Sequence, residues 1–172
     1  MININANVEK RAVYAFKEIA KQFHAETEKD YYSTQTINQV TFEMKYLLEK
    51  RWLSKIYKLQ LTFTLPNTTD INLGEYHWNI SKNCWKKKNG QVCPSFYKEL
   101  RTVFKTVDIE TAAIYHTGEQ IKLIIILIPG SFVWTLVPPM HYFIRLKEHE
   151  VKTLKEVPSI LERNILNYKK HA

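Results

Sequence analysis

The chain has 172 residues, of which 45% are hydrophobic and 24% are charged, a composition typical of a soluble globular protein that buries a core without disulfide bonds or metals. It contains two cysteines, Cys84 and Cys93, and no hydrophobic signal segment at its N-terminus, which argues against a secreted, disulfide-linked protein and predicts a cytoplasmic one with free thiols. Lysine and arginine outnumber aspartate and glutamate by 25 to 17, a formal net charge of +8.

The first fifty residues predict an N-terminal helical hairpin. Apolar residues recur there at steps of three and four, the period of one helix face. The first helix carries Val8, Ala12, Phe16, Ile19 and Phe23, and the second carries Ile37, Val40, Met44, Leu47 and Leu48. A short polar segment, residues 26–34, separates the two helices and favours an antiparallel arrangement.

Residues 57–146 predict an antiparallel sheet with one inserted helix. Apolar residues alternate with polar ones from Tyr57 to Leu65, as in a half-buried strand, and Pro66 ends the run. A second alternation covers residues 76–80, and the lysine-rich segment 86–90 predicts an exposed loop tip. The inserted helix is predicted over residues 94–106, with proline in its first turn.

The most apolar segment of the chain is Ile121–Pro139. A membrane-spanning helix needs about 20 consecutive apolar residues, and Lys122 and Pro129-Gly130 interrupt this run. Its β-branched residues favour a buried sheet instead. We expect a hairpin that turns at Pro129-Gly130, in which Leu123–Ile128 is a central strand covered on both faces.

A last strand is predicted over Met140–Leu146, followed by a C-terminal helix over residues 148–170 that Pro158 interrupts. The predicted order is α-α-β-β-α-β-β-β-β-α in a single domain over residues 1–172. This order defines the α+β class, with an antiparallel sheet of about six strands. It is compatible with a cone-like sheet and with a PAS- or profilin-like sheet, an analogy of fold that carries no function.

Most of the excess positive charge lies in the middle of the chain. Residues 51–107 hold ten basic residues against three acidic ones, a net charge of +7. A local excess of this kind indicates an anionic partner, whereas uniform charge mainly serves solubility. Two aromatic residues among these cations would stack on unpaired bases if they were exposed. The candidate anion-binding or nucleic-acid-binding residues are Lys82, Trp85, Lys86, Lys87, Lys88, Tyr97, Lys98, Arg101 and Lys105.

We therefore expect a non-enzymatic binding or regulatory module that engages an anionic partner, nucleic acid in the first place and an acidic protein in the second. The simplest alternative is a solvated charged face without a ligand. A second alternative is self-association through an exposed sheet face, which would give a homodimer. A third is a cone-like small-molecule-binding protein or enzyme with a pocket lined by Tyr76, Trp78, Tyr115, His116, Trp134 and His141.

Sequence motifs give little support for catalysis. None of the six histidines lies in an H-E-x-x-H or C-x-x-C pattern, and the two cysteines are too far apart for a zinc knuckle. None of the four glycines lies in a phosphate-cradling loop. We therefore predict no cofactor, no metal and no catalytic residue. The frequent use of lysine, isoleucine, asparagine and tyrosine suggests an AT-rich genome, that of a bacterium or a mobile element.

Overall fold

A computed structural model describes residues 4–67 and 72–170, and within these ranges the side chains of residues 7–165. The described residues form one antiparallel sheet of nine strands, an N-terminal helix, an inserted helix and two consecutive C-terminal helices. The α+β class predicted from the sequence is confirmed. The sheet has more strands than the six expected, and residues 1–3 of the predicted hairpin lie outside the described ranges.

Helix α1, Ile4–Gln22, is the first helix that the sequence predicts. Its apolar stripe is buried against the sheet, with Ala12, Phe16 and Ile19 at 0% exposure. After the helix ends, His24 adopts a left-handed φ of 56°. The first half of the predicted helical hairpin is therefore confirmed.

The second predicted helix is wrong, because residues 32–51 form two strands. Strand β1, Tyr32–Ile37, pairs antiparallel with β2, Val40–Arg51. Along β2 every second side chain is buried from Val40 to Tyr46, a period of two. Asn38, with a φ of 55°, lies in the two-residue turn that joins the strands, and asparagine tolerates this left-handed conformation.

Two further strands confirm the predicted alternations except at Ile80, which lies beyond the second strand and is 55% exposed. They are β3, Ser54–Pro66, and β4, Gly74–Asn79. The predicted loop tip over residues 86–90 is only partly a loop, because β5, Cys84–Lys87, pairs with β4 and with the short β6, Val92–Cys93. The inserted helix α2, Leu100–Thr106, is shorter than the predicted 94–106, since turns precede Leu100.

The predicted hairpin at Pro129-Gly130 is wrong. After β7, Ile109–His116, a single strand β8, Gln120–Thr135, runs through both residues. Strand β3 pairs with β8 on both sides of a bulge, in which four residues of β8, 128–131, lie opposite one residue of β3. Gly130 has a φ of 85°, so the extra backbone is absorbed in the strand instead of reversing it.

The chain ends in a short strand and two helices. Strand β9, Met140–Phe143, pairs with the last residues of β8. Helices α3, Glu148–Lys155, and α4, Val157–Lys170, meet at Glu156, just before Pro158. The predicted interruption of the C-terminal helix is confirmed, whereas the last predicted strand ends three residues early.

The helices pack on one face of the sheet only. The strand order is β1-β2-β3-β8-β7-β4-β5-β6, so β8 is central, as predicted. Its residues Leu123, Ile125 and Leu127 are buried in one cluster with the buried residues of all four helices. On the opposite side, which we call the open face, Ile124 and Ile126 are half-buried and Ile128 is 46% exposed. The prediction that this strand is covered on both faces is therefore wrong for the described residues.

Candidate functional site

The basic residues predicted from the sequence lie on one lobe at the edge of the sheet, formed by β4, β5, β6 and α2 and termed here the basic lobe, residues 74–106. An aromatic cluster holds the lobe together. Tyr76 stacks on Phe96 with ring centroids 3.9 Å apart, and Trp85 lies 5.4 Å from Trp78 and 5.7 Å from Phe104. Such aromatic pairs add stabilisation to the area that they bury.

The two aromatic residues proposed to stack on bases belong to the interior. Trp85 is 1% exposed and Tyr97 is 0% exposed, with its ring against Phe96. Because neither ring face is accessible, the predicted role of these residues in base stacking is wrong. Any nucleic acid bound by the described part of the lobe would be held by charge.

The cations of the basic lobe point to both sides of the sheet. Lys86 is opposite His77, which is opposite Ala113, so Lys86 lies on the open face. Trp85, the preceding residue, points the other way and packs against Phe104 of α2. Lys98 and Lys105 are exposed and Arg101 is half-buried on the outer side of the α2 region. The cations therefore surround the edge of the sheet, and Lys82 lies in the exposed turn between β4 and β5.

The cations of the basic lobe differ from the other cations in the middle of the chain, because most of them form no ion pair with a described carboxylate. On β2 and β3, Arg51 and Lys58 contact Glu49 at 2.6 and 2.7 Å, and Lys55 contacts Glu9 at 3.7 Å. Within the lobe, Lys88 contacts Glu75 at 2.8 Å. The remaining lobe cations have no carboxylate partner among the described residues, and they are Lys82, Lys86, Lys87, Lys98, Arg101 and Lys105.

Lys87 differs from the other five cations because its ammonium group lies 5.8 Å from the centroid of the Tyr76 ring, a cation–π contact.

Lys88 is the least suitable of the predicted cations for binding an anion, since Glu75 already balances its charge. Its carboxylate partner Glu75 also contacts His77, and these hydrogen bonds to Lys88 and His77 lower the pKa of Glu75. The lobe therefore offers six charges and not seven to an anion.

The six residues of the predicted pocket are not brought together. Tyr76, Trp78 and His116 are buried in the core, and Tyr115 lies on the open face at 37% exposure. Trp134 and His141 do meet, in a cavity of about 170 Å³ against the start of α1. The shared pocket predicted for the six residues is therefore wrong for the described structure.

A larger cavity, of about 560 Å³, was not predicted. It lies between α1 and the sheet and includes Tyr31, Tyr46 and Tyr57 in its lining. Tyr31 falls in the segment predicted as a polar link, and Tyr46 falls in the segment predicted as a helix. The alternation of apolar residues along β2 was the sequence signal that could have placed Tyr46 on the buried face beside this cavity.

The described residues contain no group of three or more histidine, cysteine, aspartate or glutamate side chains that would hold a metal ion. Cys84 is buried and Cys93 is half-buried, and neither forms a disulfide bond. In the same parts of the chain, no helix has the length and apolar character needed to cross a bilayer.

Fold and surface together define a two-layer α+β protein with an open sheet face and a basic lobe at one edge. The chain belongs to the family described as "Protein of unknown function (DUF3156)", whose model matches residues 16–165. No curated protein and no solved structure matches the chain. The analogies to cone-like, PAS-like and profilin-like sheets therefore stay predictions.

Proposed function

We propose that this protein is a non-enzymatic, cytoplasmic binding module that engages nucleic acid through its basic lobe, by contacts to phosphates and without base stacking. The observation that carries the proposal is the set of six lobe cations without a carboxylate partner in the described residues. Cations elsewhere in the middle of the chain are balanced by Glu9, Glu49 and Glu110. Within the middle of the chain, the positive charge that no carboxylate balances is thus concentrated on the lobe.

The arrangement of the cations favours a polymer over a single acidic side chain or a small anion. Lys86 lies on one side of the sheet edge, and Lys98 and Lys105 lie on the other. A phosphate backbone repeats its charge along its length, so it can follow such an edge and contact several cations in turn. Affinity would then depend on salt and only weakly on sequence.

The test measures fluorescence anisotropy of labelled single- and double-stranded DNA and RNA oligonucleotides at low salt. We expect binding by the unmodified protein and a loss of roughly tenfold or more in affinity for Lys86→Glu/Lys87→Glu and for Lys98→Glu/Lys105→Glu. The matched control is Lys17→Glu/Lys29→Glu, which makes the same change in net charge at exposed positions outside the lobe. Absence of binding to all four nucleic acids would overturn the proposal, as would an equal loss in the control.

The open face supports a second candidate function, the assembly of two copies of this chain. Large apolar side chains are exposed there, with Ile128 at 46%, Tyr142 at 52% and Met140 at 39%. The same face carries charges of both signs, such as Glu43 and Lys45. A two-fold interface brings one surface against itself, so mixed charges can pair where a purely basic surface would repel. Native mass tests this assembly.

A further inference from the structure

A cavity lies between the first half of α1 and the part of the sheet that carries Tyr46 and Tyr57. Its volume is about 560 Å³, within the range that holds a small organic molecule. Helix α1 contributes Glu9, Lys10 and Val13 to one wall. The opposite wall consists of tyrosines together with Leu48 and, at the rim, Asp30.

Three tyrosines form the aromatic wall. The ring centroid of Tyr31 lies 5.5 Å from that of Tyr57 and 6.0 Å from that of Tyr46. Two of the hydroxyls donate hydrogen bonds to backbone carbonyls: Tyr46 to that of Gly130, and Tyr31 to that of Glu9. Tyr31 is half-buried, whereas the other two are almost fully buried, so Tyr31 presents the accessible ring.

The charged residues that line the cavity carry a net charge of −1, because two carboxylates, Glu9 and Asp30, face the one ammonium group of Lys10, whereas the protein as a whole carries a net charge of +8. Burial raises the pKa of Tyr31 most, the neighbouring Tyr57 raises it next, and the carboxylates of Glu9 and Asp30 add smaller increases. Burial also raises the pKa of Tyr57, the hydrogen bond with Tyr31 opposes part of that increase, and Glu9 adds a smaller increase. Two ammonium groups lie near these carboxylates: Lys10 lines the cavity, and Lys55 contacts Glu9 at 3.7 Å.

We propose that the cavity binds an organic cation, an ammonium group carried on a flat apolar body. The apolar body would lie against Tyr31, Val13 and Leu48, and the ammonium group would lie near Glu9 and Asp30. Electron-rich aromatic faces and carboxylates together attract alkylated ammonium ions. Anionic ligands of comparable shape would be rejected by the same carboxylates. The site is separate from the basic lobe and does not rest on nucleic-acid binding.

The test uses benzyltrimethylammonium chloride as the probe, with phenylacetate as the anionic control and benzyl alcohol as the neutral one. Two-dimensional NMR of the labelled protein follows each titration to about 10 mM, a range that detects Kd values near 1 mM. We expect shifts of the residues around Tyr31 for the cation and much weaker shifts for the other two compounds. Shifts that favour phenylacetate, or no shifts with the cation, would overturn the proposal.

Variants at the rim separate charge from shape. Asp30→Asn should weaken binding of the cation roughly threefold to tenfold, whereas Lys10→Gln should strengthen it, since a competing positive charge is removed. Both side chains are exposed, so the fold should tolerate either change. Tyr31→Ala should abolish saturable binding. Asp108→Asn, an exposed acidic residue on another element, is the control. Equal effects of Asp30→Asn and Asp108→Asn would contradict the assignment of the site.

Discussion

His116 is a buried histidine, with 2% exposure on β7. It lies in register with Ile121 of β8, on the face that the helices cover. Burial lowers its pKa from the ordinary value of 6.5, and a backbone hydrogen bond near Asn72 opposes part of that effect. The folded protein therefore holds this imidazole neutral at pH values where an exposed imidazole gains a proton.

The stability of the protein should consequently fall as the pH drops below about 6.5. In the unfolded chain His116 binds a proton near its ordinary pKa, whereas in the folded chain it binds one only at a lower pH, so acid favours unfolding. We expect His116→Gln to remove part of this decline in chemical denaturation between pH 7.5 and about 5. The exposed His149→Gln serves as the control. Parallel curves for the unmodified protein and His116→Gln would contradict the prediction.

Individual side chains also explain which site predictions failed. Lys86 and Trp85 are neighbours in the sequence, and a loop interpretation exposes both. In a strand, successive side chains point to opposite faces, so Trp85 is buried on the helix-covered face while Lys86 lies half-buried on the open face. The positions of the lysines could be predicted from charge alone, because a cation without a partner stays in solvent. The orientation of the aromatic rings required the strand to be identified first.

At the scale of elements, the bulge in β8 is the feature that the sequence did not predict. Proline followed by glycine marks a turn in most contexts. Pro129-Gly130 interrupts an apolar segment of strand-like composition, so the sequence favours a hairpin there. The structure uses the same two residues to insert extra backbone opposite Lys58 of β3. Two contacts hold the insertion: Tyr46 donates a hydrogen bond to the Gly130 carbonyl, and Ser131 donates one to the Leu127 carbonyl.

Gly130→Ala should destabilise the protein by about 2–4 kcal/mol. An alanine Cβ at this position would clash with Leu59 Cδ2, and the φ of 85° is one that side chains rarely adopt. Gly90→Ala is a matched control, because Gly90 has a φ of 87° and nothing within 4 Å of the added carbon. We expect this control to lose only about 1 kcal/mol, the cost of the backbone conformation.

Urea denaturation measures both variants, and the difference between them isolates the steric contact with Leu59. If Gly130→Ala and Gly90→Ala lose the same stability, the close packing of the bulge against β3 is not present in solution. A Leu59→Ala background provides an additional check, since removing the contacted side chain should reduce the cost of Gly130→Ala.

The error over residues 32–51 has a different physical cause. Val40, Met44 and Leu47 fit a helical spacing, and the same segment also alternates, with Phe42 and Tyr46 completing a period of two. Short apolar runs of this kind do not separate helix from strand by periodicity. Partner strands decide the outcome: β2 pairs with β1 on one side and β3 on the other. The long alternation of β3 had no helical alternative, and it was predicted correctly.

At the scale of the whole molecule, the basic lobe lies at one edge of the sheet and the half-buried isoleucines lie on its central strand. The six unpaired cations of the basic lobe surround one edge of the sheet, and the helices cover one face. The open face keeps Ile124 and Ile126 half-buried beside the polar Gln60 and Thr62, which hydrogen-bond to each other. The single domain predicted over residues 1–172 stays a prediction, although the buried apolar residues of strands and helices form one cluster. A module of this kind can present two independent surfaces to its partners.

We predict that this open face joins two copies of the chain. Stable interfaces bury about 1,200–2,000 Å² around an apolar centre. The open face offers such a centre in Ile124 and Ile126, and residues of both charges surround it. Size exclusion with light scattering at about 50 µM should report a dimer, as expected for an interface of this class. Ile126→Glu places a charge in the centre of the face and should give a monomer. Tyr14→Glu, at a 66% exposed position on α1, should leave the dimer intact. A monomeric unmodified protein would rule the assembly out, and a monomeric Tyr14→Glu would move the interface to the helical layer.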